Sequence, residues 1–339
     1  MLQYLVAGGL KINNYMNNQI IKISEIANLL DINYYGIDSD IDGLNLCNRE
    51  IISNSVVSYI SSEKFISNGI SNTKIRGLFV TKEVYEVILK KEGFKRDIAF
   101  FIVDYPEVEF YKLHEILYSR TSFYKKFNFE SVLGQNCIIH PTSVIEDGVI
   151  IGNNVRIGAN SVIKKGTVIN DNTVVGSCTV IGAEGFQLIY DEFNVPFTVT
   201  HVGGTYIGKN VLINDNCTIS NALFEGNVII DDNCKIDSQV HIGHNCKIGK
   251  NSVITGNSLL MGTVELKENV WIAPSATVSN KCVVHNNSFV GSMSLVANNI
   301  SENSRVCGIP AIPVDEYIKI IVQQKKIIKN GRENSKNNK

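Results

Sequence analysis

The sequence has no surplus of either charge: 32 Lys and Arg stand against 33 Asp and Glu in 339 residues, a net of −1. That balance argues against nucleic acid or an anionic membrane surface as the main partner. It has no apolar run near the ~18 residues that a bilayer crossing takes. The short apolar stretch 2–10 has no basic segment ahead of it, so neither stable membrane insertion nor a secretory signal is expected. None of the eight cysteines forms a C-x-x-C pair, which removes the usual structural zinc or redox motif. A disulfide scaffold is not expected in so long a chain. The expectation is a cytoplasmic protein with reduced thiols and no metal. What remains is an ordinary globular composition, 44% hydrophobic and 19% charged, of a length that suggests two domains.

The chain has two textures. Residues 20–128 mix helical spacing (21–30, 83–91, 107–117) with strand-like runs (56–60, 77–80) and read as an α/β domain. Residues 133–313 carry one period, six. Ile139, Ile145, Ile151, Ile157, Ile163, Ile169, Val175 and Ile181 are in step, and Ile207, Ile213 and Ile219 resume the series. After a slip of one residue it runs from Ile230 to Val296 through twelve further positions. Six matches neither a helix nor a simple strand alternation; it is the hexapeptide signature of a parallel β-helix. One aliphatic side chain per hexad would point inward, with Gly and Asn at corners that need positive φ.

The register breaks over 183–206, and a long loop leaving a rigid solenoid is more often functional than decorative. It carries Phe186, Tyr190, Phe193, Phe197 and Tyr206, so it is expected to cover something apolar, or else to pack a neighbouring subunit. Beyond the hexads, 314–339 reads as an amphipathic helix with a basic tail, and 1–19 has no assignable role.

Of six histidines, His241 and His244 share one hexad. With Ile242 inward, His244 falls near a coil corner, where a rigidly held imidazole can act as a general base. A solvated histidine, an interface filler or half of a metal pair are the other readings, and no carboxylate or cysteine cluster supports the last.

The stretch KIDSQVHIGHNCKIG resembles the I-A-H-N segment of the UDP-3-O-acylglucosamine N-acyltransferase family of lipid A biosynthesis. IIKISEIANLLDINYYG resembles that family's N-terminal opening, VIGAEGF its V-G-A-D-G-F loop and GIPAIP the end of its β-helix. The resemblance implies a mainly β fold: a left-handed β-helix behind a uridine-binding α/β domain, followed by a C-terminal helix and assembled as a homotrimer. It implies transfer of a 3-hydroxyacyl chain from acyl carrier protein to the amine of a UDP-linked amino sugar, with no bound cofactor. His244 matches the family's base and Asp237 the acid that orients it. His241, Asn245, Glu184 and Phe186 fall in the substrate-binding segments. Tyr59, Ser62 and Phe65 align with an F-x-x-N-x-x-Y motif that holds uracil, Ser62 standing where the family has Asn. The thioester oxyanion needs a donor, for which the Gly262 N–H is a candidate.

Departures from the pattern are local. Lys281 stands at the family's second His, Glu184 at its loop Asp, and the Arg of R-G-A-L-D-D is missing from 221–226. These changes keep a second reading open, an N-acyltransferase using a short acyl-CoA on another nucleotide-linked amino sugar. A third reading is a non-catalytic β-helix binding module.

Overall fold

The computed structural model describes residues 18–91, 97–308, 316 and 318–327. Most of the unassigned segment 1–19, the GIPAIP end and the basic tail beyond 327 lie outside the described residues. Residues 132–306 wind into a three-faced left-handed β-helix. Two-residue strands stack in parallel into sheets of eight, nine and eight strands, here called the first, second and third faces. A regular coil takes 18 residues, so that Ile151 pairs with Ile169 and Ile236 with Ile254. The hexad aliphatics form the core: from Ile151 to Val296 every one is buried, and Ile139 and Ile145 pack against them at the open first coil.

A second inward series lies two residues ahead of each aliphatic and is filled by small side chains. Val149, Val155, Ser161, Thr167 and Thr173 begin it, and Cys217, Cys234, Cys246 and Cys282 belong to it. A prism this narrow holds one large and one small group per edge. The cysteines therefore act as small apolar fillers with weak donors; Cys234 Sγ reaches Gly249 O at 3.2 Å and Cys246 Sγ reaches Met261 O at 3.1 Å. Burial pushes both thiols up to about 12, far from a reactive thiolate.

The corners differ. Between the first and second faces, Asn136, Asn154, Asn172, Asn210, Asn233, Asn251, Asn269, Asn287 and Asn303 stand in one column. Each adopts left-handed φ near +60°, and each amide donates to the next at 3.0–3.3 Å. Asn tolerates this φ, and its side chain replaces the hydrogen bonds a turn cannot make. No such ladder runs up the corner between the third and first faces. There the chain departs after Ala183 and rejoins at Gly204, stretching one coil from 18 to 38 residues. The next coil takes 23, because its corner 221–226 is enlarged. The slip of one hexad position is thus a five-residue insertion in a corner.

The α/β domain is a four-stranded parallel sheet in the order Gly43–Leu44, Val56–Ile60, Ile75–Val80, Ala99–Ile102. It is flanked by α1 (Ile23–Leu30), α2 (Ile66–Ser71), α3 (Lys82–Leu89) and α4 (Pro106–Arg120). The excursion completes its core. A hairpin, Leu188–Tyr190 against Pro196–Thr198, sends Ile189, Val199 and Val202 into the cluster under α1 and α4, with Leu223 and Phe224 of the enlarged corner. Phe224 packs against Tyr111 at 6.0 Å and edge-on to Phe110 at 5.6 Å. The loop does cover something apolar, as expected, but mostly not with its aromatics. Phe197 packs inward, but Phe186, Tyr190 and Phe193 are exposed, because the loop is anchored by its aliphatic residues.

Residues 318–327 are helical, with Ile318, Val322 and Ile327 exposed. Among the described residues no helix is long and apolar enough to cross a membrane.

Candidate active site

His244 stands at the interrupted corner, after the strand His241–Ile242 of the third face and before Lys247–Ile248 of the first. The excursion leaves from the same corner two coils earlier and folds back onto it. A Cβ on Gly185 would lie 3.0 Å from His244 Cβ and under 2.5 Å from His201 Nε2, so only glycine lets the chain pass here. His201, near the end of the excursion, meets His244 edge to face with ring centroids 5.4 Å apart. It is held there by α4: His114 Nε2 bonds Thr200 O at 2.7 Å, and Glu115 accepts from Thr200 N–H at 2.8 Å and Thr200 Oγ–H at 3.0 Å. Glu184 accepts from His201 N–H at 3.3 Å.

The tautomer of His244 follows from its neighbour. Asn245 takes the left-handed corner position, with φ of 58°. Its Oδ1 accepts from Leu223 N–H at 3.0 Å, which fixes that atom as the oxygen, and it lies 3.0 Å from His244 Nδ1. Nδ1 is therefore the protonated nitrogen, and the lone pair is on Nε2. Nε2 faces Gly262 on the next coil, so closely that a Cβ there would clash with it. The Gly262 N–H has no acceptor among the described residues, whereas its carbonyl is bonded by Lys281 N–H at 3.2 Å. Burial is the main cause that lowers the pKa of His244, the Asn245 bond raises it, and the charge of Arg49 lowers it further. Burial and then the His244 charge bring His201 down to about 4. At neutral pH both imidazoles are uncharged, the state a general base requires.

The other expected residues divide. Lys281 joins the same corner, stacked above Asn245 and Thr263 in left-handed φ with its side chain exposed. His241 points outward on the third face between Thr218 and Leu259, and Phe186 is exposed on the excursion. Asp237 does not meet His244 within one chain, because it occupies the corner between the second and third faces. There it accepts from Asn214 Nδ2 at 3.0 Å and Ser238 N–H at 2.8 Å, bonds that hold its carboxyl below the usual range. The orienting role expected of Asp237 is filled inside the chain by Asn245.

Tyr59 and Phe65 do not form one clamp. Adjacent positions on a strand face opposite sides of a sheet. Tyr59 turns into the core under α4, its hydroxyl donating to Glu107 at 2.6 Å, while Phe65 packs with Ile60 and Ile66 on the other side. Ser62 caps the short turn between them without a side-chain bond.

Sequence reasoning missed His201, Arg49 and Asn221. His201 lies outside any hexad, and its position depends on the path of the excursion. Arg49 comes from the α/β domain through a loop with no motif. Glu225, at the position of the family's acidic pair, bolts that loop down. It accepts from Asn45 Nδ2 at 2.9 Å, Ile52 N–H at 2.7 Å, Ser53 N–H at 2.8 Å and Ser53 Oγ–H. Among the described residues no group of three or more His, Cys, Asp or Glu could hold a metal ion.

The family model for the bacterial transferase hexapeptide (six repeats) matches residues 130–165, 152–183 and 227–262. A UDP-3-O-acylglucosamine N-acyltransferase from Campylobacter lari is 33% identical over 252 residues, 69% of this chain and 75% of that protein. Among solved structures, a UDP-N-acetylglucosamine acyltransferase from Campylobacter jejuni is 24% identical, covering 50% of this chain and 64% of its own, with a TM-score of 0.43. The Arabidopsis enzyme of that name is 23% identical, covering 53% and 68%, with a TM-score of 0.40. This chain therefore spans a little under two thirds of the first of those structures. The hexapeptide matches and the long alignment to the C. lari enzyme place the chain in the UDP-3-O-acylglucosamine N-acyltransferase family.

Proposed function

We propose that the protein moves an acyl group, a 3-hydroxyacyl chain, from an acyl carrier protein thioester to the amine of a UDP-linked amino sugar, with His244 as general base. The observation that carries this is the state of His244: uncharged, with Nδ1–H on Asn245 and its Nε2 lone pair toward a glycine corner.

The chemistry is an aminolysis. The sugar nitrogen attacks the thioester carbon as its proton passes to His244 Nε2, a step that a placed base accelerates by roughly 10²–10⁴-fold. The new C–N bond leaves an oxyanion, for which the free Gly262 N–H is a donor. Collapse breaks the C–S bond, and the departing thiolate takes the proton back from His244. The products are an amide and the free thiol, and the histidine ends as it began. No metal or cofactor enters these steps.

The acceptor is read as a nucleotide sugar because the family is named for one and because the α/β domain is fastened to this corner by Glu225 and by α4. Phe65 and Ser62, at the exit of the strand Val56–Ile60, remain the place for uracil on that domain. The assembly is read as a homotrimer in which Asp237 of one copy approaches His244 of the next, and the location as the cytoplasm.

Lys281 favours one alternative. A cation in this column suits the phosphates of coenzyme A, and with it a short acyl-CoA donor. Offering wild-type protein a hydroxyacyl carrier protein and acetyl-CoA side by side, with UDP-linked 3-O-acylglucosamine, separates the two. Turnover with the carrier protein is expected; turnover with acetyl-CoA alone would replace this reading by the second.

A further inference from the structure

One charge at this corner is unbalanced. Arg49 lies in the loop 45–53 of the α/β domain, between two attachments to the β-helix. On one side Glu225 gathers Asn45, Ile52 and Ser53; on the other, Glu50 pairs with Lys247, three residues past His244, at 2.5 Å. The Nε and Nη1 of Arg49 are buried and make no hydrogen bond, and no carboxylate among the described residues forms an ion pair with its guanidinium. The groups that feel its charge are the hydroxyls of Tyr59 and Tyr111 and the imidazoles of His201 and His244.

A buried guanidinium without a counter-charge is strongly unfavourable in a free protein. It is not the only orphan here. Seven buried side-chain polar atoms in the described structure lack a partner, and four of them are Arg49 Nε, Arg49 Nη1, His201 Nε2 and Asn221 Oδ1. Asn221 donates to His201 O at 3.2 Å, and His201 touches His244, so three separate segments leave unsatisfied polar atoms around one base. Buried groups left unsatisfied in this way mark a place that a ligand completes.

We infer that Arg49 is the receptor for a substrate phosphate, the diphosphate of the nucleotide sugar, and that it sets the sugar amine against His244. This rests on the reading of the acceptor given above. The covalent structure of the two substrates favours the acceptor as the source of the anion. In a UDP-linked glucosamine the amine on C2 and the phosphate on C1 are ring neighbours, so a base that reaches the amine has a phosphate close by. In a phosphopantetheine thioester the phosphate is a whole arm away from the reacting carbon. A planar guanidinium also matches phosphate oxygens better than an ammonium does.

The experiment measures UDP and coenzyme A binding by calorimetry, with melting temperature, on the wild type, Arg49→Gln and Arg49→Lys. Arg49→Gln is expected to weaken UDP at least tenfold and to leave coenzyme A unchanged. Its unliganded melting temperature should stay level or rise, because an uncompensated charge has gone. Arg49→Lys should recover part of the UDP affinity, and it supplies the answer if the Gln variant does not fold. UDP affinity unchanged in both variants, or a loss confined to coenzyme A, would overturn the inference while leaving the acceptor reading intact. Wild-type protein that binds no UDP and acylates no UDP-sugar would remove both.

Discussion

Asn245 uses a single oxygen for two tasks. It ties the enlarged corner through Leu223 N–H and fixes the proton of His244 on Nδ1. The proposed base therefore depends on a neighbour that was legible as part of a motif but not as its orienting group. The segment around 244 announces a histidine in a hexad corner; it does not announce that Asp237, seven residues earlier, turns another corner of the prism. A one-residue description of spacing carries no information about which edge a residue occupies until the coil length is known. His201 and Arg49 were illegible for a related reason, since each reaches the site through the path of a loop. Two consequences belong to this scale. Replacing Gly262 by Ala puts a methyl group where His244 Nε2 lies. The ring must move, and kcat is expected to fall by about 10²-fold with circular dichroism unchanged, because displacements of this size cost that much at a reacting centre. The acid limb of the kcat/KM profile should have its midpoint below the ordinary histidine value near 6.5, since burial favours neutral His244. Activity falls as pH drops through that lowered pKa; a midpoint above 6.5 would contradict the assignment. His201 adds a stability effect of the same sign. Its neutral form is favoured on folding, so its contribution is complete above pH 6.5 and lost as pH falls toward about 4.

At the level of the coil, the hexad aliphatics were readable because each occupies an inward position and no other residue type would serve there. The second inward series escaped notice because Val, Ser, Thr, Cys and Ala look unrelated until size is the criterion. Once it is seen, the scattered cysteines have a common explanation, apart from Cys47, Cys178 and Cys307. The asparagine column was visible only as crowding between the aliphatics. Its structure explains why asparagine in particular recurs: the residue tolerates left-handed φ, and its amide bridges to the coils above and below. Asn251 accepts from Asn233 at 3.1 Å and donates to Asn269 at 3.2 Å. Substituting Ala removes both bonds and leaves a Cβ in a left-handed turn, for an expected loss of about 2–3 kcal/mol. Gly in the same place keeps the φ without strain and should lose about half as much. Chemical denaturation of the two variants measures the difference, and equal losses would mean that the bonds alone matter.

Across the whole molecule, one corner of the prism is laddered and another is interrupted, and the proposed chemistry falls at the second. The column of asparagines runs unbroken along the first; the excursion, the enlarged corner and the unladdered Asn245, Thr263 and Lys281 mark the second. The α/β domain is attached to that second corner and contributes to it directly, through α4 on the excursion and through the loop that carries Arg49. The sequence pattern conveyed the two domains and their order. Their joint site was hidden, because contacts such as Glu225 with Ile52 and Glu115 with Thr200 link residues far apart in the chain. The central proposal is that His244 deprotonates a sugar amine, and its most direct test is the turnover of His244→Ala. With a hydroxyacyl carrier protein and UDP-linked 3-O-acylglucosamine at saturation, kcat is expected to fall at least 100-fold while melting temperature and oligomeric state match the wild type. A variant that is equally well folded and turns over at the wild-type rate would contradict the account.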